Sequence, residues 1–66
     1  MNALPMTATL LLTPAELKAR MPGAYRAMRI PTLREGHFVD SAKRWWIIFR
    51  CFVNGKMMYG LNRETQ

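Results

Sequence analysis

Asn54-Gly55, set between two apolar runs, constrains this chain more than any other feature of its sequence. A type I′ turn needs φ > 0 at both central residues, which Asn-Gly tolerates, so the dipeptide predicts a β-hairpin. The arm before it, Lys43 to Val53, holds both tryptophans, two of the three phenylalanines and the single cysteine. Trp, Ile, Phe and Val suit a pleated, half-buried surface. The competing reading is a helix from a Ser41 N-cap to a Gly55 C′ residue, apolar almost all round apart from Arg44 and Arg50. Strand propensity and turn chemistry together favour the hairpin.

A two-residue turn fixes the register. Val53 then faces Lys56, Phe52 faces Met57, Cys51 faces Met58, Arg50 faces Tyr59, Phe49 faces Gly60, Ile48 faces Leu61 and Trp46 faces Arg63. Strand parity sends Trp45, Ile47, Phe49, Cys51, Val53 and Met58 to one face. The other face receives Arg44, Trp46, Ile48, Arg50, Phe52, Met57, Tyr59, Leu61 and Arg63. The first set is apolar without a break along its long arm and reads as the core face. Phe49 opposite Gly60 can lay its ring over the bare glycine. On the second face arginines alternate with aromatics, and Arg50–Tyr59 and Trp46–Arg63 are cross-strand pairs suited to cation–π contact. Arg44, Trp46, Arg50, Phe52, Tyr59 and Arg63 are therefore the expected contact surface for a partner.

The chain has 66 residues, enough for one domain that buries only about 60% of its unfolded surface. A chain this small usually leans on disulfides, a metal or a second subunit. Cys51 and His37 are each single, which leaves no intrachain disulfide and no structural zinc set. A homodimer or a partner protein is the remaining source of stabilisation. Ten Lys and Arg against four Asp and Glu give a net charge of +6 and a pI near 10.5. That balance points to nucleic acid, an anionic membrane or an acidic protein surface as partner. No run approaches the length of a transmembrane span, and Leu10 to Leu12 is too short for the apolar core of a signal peptide. The lone cysteine, placed on the core face, agrees with a reducing, cytoplasmic setting.

Before the hairpin, residues 1–6 have no period and are expected to fray, and Thr7 to Leu12 reads as a short strand. Thr13, Pro14 and Glu16 fit the N-cap, N1 and N3 positions of a helix opening with a capping box. That helix should run to Met21, where Pro22 disfavours α geometry in the residue before it and Gly23 follows. Ala24 to Ile30 can form a second short helix ended by Pro31. Leu17, Met21, Tyr25 and Met28 fall on one stripe directed at the hairpin, while Lys18, Arg26 and Arg29 form a secondary basic surface. His37 to Val39 reads as a possible third strand. The fold class is thus α+β: a short N-terminal strand, one kinked or two short helices, then an antiparallel hairpin in a sheet of two to four strands.

The acids Glu16, Glu35, Asp40 and Glu64 are dispersed, so no shared acid–base site is expected. A lone His37 beside Phe38 reads as a surface or edge-strand residue, and Cys51, inward by parity, as packing rather than a nucleophile. The four glycines are scattered and make no phosphate-cradling loop. The chain reads as a non-enzymatic binding protein without a cofactor or metal. Nucleic acid is the first expected partner, through stacking on Trp46, Phe52 or Tyr59 and phosphate pairing with Arg44, Arg50 or Arg63. In outline, Val53, Asn54, Gly55 and Lys56 between two strands resemble the small sheet domains that bind arm sites at the N-termini of phage integrases; the likeness rests on a common turn and assigns no family. A winged helix-turn-helix, with Tyr25, Arg26 and Arg29 reading DNA, is a variant, although the hairpin is apolar for a solvated wing. The alternatives are a small regulator of phage or mobile-element type that inhibits a host protein, and a homodimer that buries the same face.

Overall fold

The computed structural model describes residues 9–64. Along the chain run β1 (Thr9–Leu12), α1 (Pro14–Arg20), α2 (Pro22–Met28), β2 (Glu35–Val39), β3 (Trp45–Val53) and β4 (Lys56–Arg63). The strands form one antiparallel sheet in the order β1-β4-β3-β2. The two helices lie on one side of it, α1 over β1 and β4 and α2 beside β2. This is the α+β domain that the sequence pattern implies. The expected start of the first strand at Thr7 and the fraying of residues 1–6 fall outside the described residues.

Local chemistry sets the helix boundaries. The Thr13 side chain accepts a hydrogen bond from the Glu16 amide at 3.1 Å, and Glu16 accepts one from the Thr13 amide at 2.8 Å. This reciprocal pair satisfies two donors that the first turn cannot use. Met21 ends α1 in a non-helical conformation and is at once the N-cap of α2. Pro22 then occupies the first turn of α2, where its missing N–H costs nothing. The second helix therefore begins at Pro22 rather than at the expected Ala24, with Gly23 inside its first turn. Leu17 and Met28 are fully buried, Met21 and Ala24 nearly so, and Tyr25 packs half-buried beside them.

The central hairpin has the expected register from Val53↔Lys56 to Trp46↔Arg63. Asn54 and Gly55 both have positive φ, 53° and 80°, as a type I′ turn requires. A Cβ on Gly60 would clash with the outer end of the Phe49 ring, so that ring does cover the glycine across the strand pair. A second hairpin joins β2 to β3. Its loop closes with the Asp40 amide donating to the Arg44 carbonyl and the Lys43 amide donating to the Asp40 carbonyl. Lys43 sits there at φ 67°, the left-handed residue of a three-residue hairpin loop.

The side of the sheet that the helices cover is the reverse of the expected one. Ile48, Tyr59 and Leu61 are at most 2% exposed and form the core with Leu12, Leu17, Met21, Ala24 and Met28. Trp45 is 49% exposed and Val53 37%. Trp46, Arg50, Tyr59 and Arg63 therefore do not present a free Arg–aromatic surface. The arginines stand at the margins of the covered face: Arg50 packs its stem there and finds acceptors, whereas Arg63 lies against Trp46 with its Nε buried and without a hydrogen-bond partner among the described residues. The deciding pattern lies on the partner strands. Phe38, Tyr59 and Leu61 share the parity of Ile48, whereas Glu35, His37 and Asn62 share that of Ile47.

Candidate interaction surfaces

The residues expected to bind a partner take structural roles on the covered face. Arg50 donates from its guanidinium to the main-chain oxygens of Met28 and Ile30. It thereby satisfies carbonyls at the C-terminus of α2 with a positive charge, which the helix dipole also favours. Tyr59 is buried beneath the helices and lies opposite Arg50 in register. Trp46 is half-buried, carries the Arg63 guanidinium 5.7 Å from its ring centroid and donates from Nε1 to Asp40 at 2.9 Å. The Trp46–Arg63 cation–π pair is thus the one read from the register, but it faces the protein. Arg44 is exposed and turned onto Asp40, with Nε 3.1 Å from the carboxylate. Phe52, 73% exposed near the hairpin tip, is the one aromatic of the group left open.

Asp40 is the organiser that sequence reasoning passed over. One carboxylate oxygen accepts from the amides of Ala42 and Arg44, and the other from Trp46 Nε1 and Arg44 Nε. Four donors on one carboxylate favour its ionised form. The Trp46 indole bond first, then the Arg44 amide, hold its pKa at about 2, below the ordinary 3.8. The available signal was an Asp five residues before the first hydrophobic of a strand, in a loop that must turn tightly.

The opposite, uncovered face of the sheet can be followed in rows across the strands. The first row is Val39, Trp45 and Glu64, the second His37, Ile47, Asn62 and Thr9, and the third Glu35, Phe49, Gly60 and Leu11. Cys51 with Met58, then Val53 with Lys56, complete it towards the hairpin tip. Thr9 donates to Asn62 at 2.6 Å, and His37 Nδ1 lies 2.6 Å from Glu64, reaching across β3. Trp45, Leu11 and Val39 are each more than 40% exposed. Cys51, expected inside, is on this open face and half-buried. It stands two rows from His37 with the Phe49 row between them, so the imidazole and the thiol do not form a couple.

Charge is divided between the two sides. The open face carries Glu35 and Glu64 but, of the ten Lys and Arg, only Lys56. The helical side carries exposed Lys18, Arg20, Arg26 and Arg29 against two acids, Glu16 and an Asp40 already engaged by Arg44 and Trp46. There the secondary basic surface is drawn together. Lys18 Nζ lies 5.9 Å and the Arg29 guanidinium 5.7 Å from the Tyr25 ring centroid. Arg26 and Arg29 also line a shallow open depression with Ile30 and Pro31. Among the described residues no helix is long and apolar enough to cross a membrane.

These features define a small α+β domain with a basic helical side and an open apolar sheet face. No family model matches the chain, and neither a curated protein nor a solved structure matches it.

Proposed function

We propose that this protein is a small, non-enzymatic nucleic-acid-binding accessory protein that grips phosphate through Lys18, Arg26 and Arg29 around Tyr25. The observation that carries the reading is the convergence of two cations from different helices on one ring. The π face offsets part of their mutual repulsion, and a phosphate between them would offset the rest. The net charge of +6 and the excess of cations over acids on that side favour a polyanion further. Contacts of this kind read backbone rather than base, so affinity without strong sequence preference is implied. Arg44 and Phe52, both exposed, remain available at the margins; Trp46, Arg50, Tyr59 and Arg63 support the fold instead.

The experiment is fluorescence anisotropy with labelled single- and double-stranded oligonucleotides over a series of salt concentrations. Neutralising about three phosphates gives a slope of roughly −2 in log affinity against log salt on a single strand. Lys18→Ala and Arg29→Ala should each weaken binding and flatten that slope. Absence of binding at low salt, or binding that both substitutions leave untouched, would sink the reading and favour an acidic protein surface as partner.

A further inference from the structure

The open face of the sheet is the larger unexplained feature. It is apolar along its middle, poor in the cations that a nucleic acid would need, and built on the central strands of the domain. We propose that it is the contact between two copies of this chain, packed face to face about a two-fold axis that runs across the strands through the Phe49–Gly60 row. This inference does not depend on the nucleic-acid reading.

Three observations support a second copy as the occupant. The first is charge. Lys56 stands at the hairpin-tip end of the face and Glu64 at the other end. An axis across the strands exchanges the two ends, so each Lys56 meets the other copy's Glu64. An axis along the strands would instead bring Lys56 near Lys56 and Glu64 near Glu64. The first arrangement forms two opposite-charge pairs at the ends of the face, as a two-fold contact favours, and sets Glu35, exposed on edge strand β2 in the axis row, opposite its own copy; the second forms no such pair.

The second observation is shape. The proposed axis lays Cys51 and Met58 of one copy over Ile47 and Asn62 of the other, and centres the contact on Phe49. Its ring already covers Gly60. Two such sheets can stack with strands within about 30° of one another and ~10 Å apart.

The third is size. Strands of four, nine, eight and five residues, about 4.8 Å apart and rising ~3.3 Å per residue, give a footprint of roughly 400 Å² per copy. The pair would bury about 800 Å², the size of a weak contact. The dimer is therefore expected only at high micromolar concentration and to dissociate on dilution.

Sedimentation equilibrium of the full chain from low to high micromolar concentration tests this. The expected result is a mass rising from 7.7 kDa to twice that value. Ile47→Arg should hold the protein monomeric with an unchanged far-ultraviolet circular dichroism spectrum. Val53→Arg, at an already exposed position, serves the same purpose should Ile47→Arg fail to fold. Lys56→Glu should weaken association about tenfold or more, and Lys56→Glu combined with Glu64→Lys should restore most of it. A wild-type protein that stays monomeric throughout, or a dimer indifferent to Ile47→Arg and Val53→Arg, would overturn the proposal. Failure of the double charge exchange to rescue would overturn the axis.

Discussion

At the scale of single residues, the molecule is governed by a carboxylate and an indole. The Asp40 pKa of about 2 in the folded chain, against 3.8 unperturbed, fixes the sign of its pH dependence. A carboxyl whose folded pKa is depressed adds stability in full above the unfolded value and loses it as pH falls through the folded one. The wild type should therefore lose stability between about pH 4 and pH 2. Asp40→Asn should be less stable at neutral pH and show a flatter acid limb, measured by urea unfolding across that range. The two tryptophans make a paired test of the sheet's orientation. Trp46 packs against the core and donates to Asp40, so Trp46→Ala should cost roughly 2–4 kcal/mol, somewhat below a fully buried tryptophan. Trp45 is half-exposed, and Trp45→Ala should cost less than about 1 kcal/mol in dilute, monomeric protein. Equal losses in chemical denaturation would contradict the placement of the helices.

At the scale of elements, the short helices depend on their ends. Seven residues make a poor helix in isolation, since nucleation is unfavourable and few bonds follow it. Thr13→Ala removes one half of the capping box and should destabilise the domain by about 1 kcal/mol. The β2–β3 loop offers the opposite change. Lys43 is held at φ 67°, where a Cβ is disfavoured, so Lys43→Gly should raise stability by about 0.5–1 kcal/mol in thermal unfolding. What the sequence made legible follows the same division. Local signals were sufficient for the Thr13 cap, the Asn54-Gly55 turn, the hairpin register and the Leu17–Met21–Met28 stripe, because each is set by neighbours in the chain or by one turn. Which face of the sheet the helices cover is a tertiary choice. Along β3 both faces are apolar, so its arginines were read as solvent markers although Arg50 is spent on the end of α2. Glu35, His37 and Asn62 carried the right parity, but it becomes informative only once β2 and β4 are aligned with β3. The expected contact face turned inward with that one inversion, whereas Lys18 and Arg29, placed near the solvent side by local periodicity, both lie over Tyr25.

At the scale of the whole molecule, the helices leave half of the sheet without cover, and a domain this small has little stability to spare. If two copies close that face, unfolding is coupled to dissociation and the melting midpoint must depend on concentration. A rise of roughly 3–5 °C for each tenfold increase in protein is expected for a dimer of this size. A midpoint that stays fixed over a hundredfold range would describe a monomer. The same pairing would carry the Lys18–Tyr25–Arg29 clusters to opposite outer surfaces, so one dimer could hold two strands or two segments of one strand, and its apparent affinity for a long polymer would exceed that for a short one.

Phe49 and Gly60 carry a different kind of consequence. The ring of one occupies the space where any side chain on the other would begin. A lineage carrying this chain cannot add even a methyl group at 60 without first moving the ring at 49, nor shrink 49 without baring backbone at 60. The two sites are fixed eleven residues apart in the chain by the Asn54-Gly55 turn. They would therefore be inherited as one character, changing together or not at all.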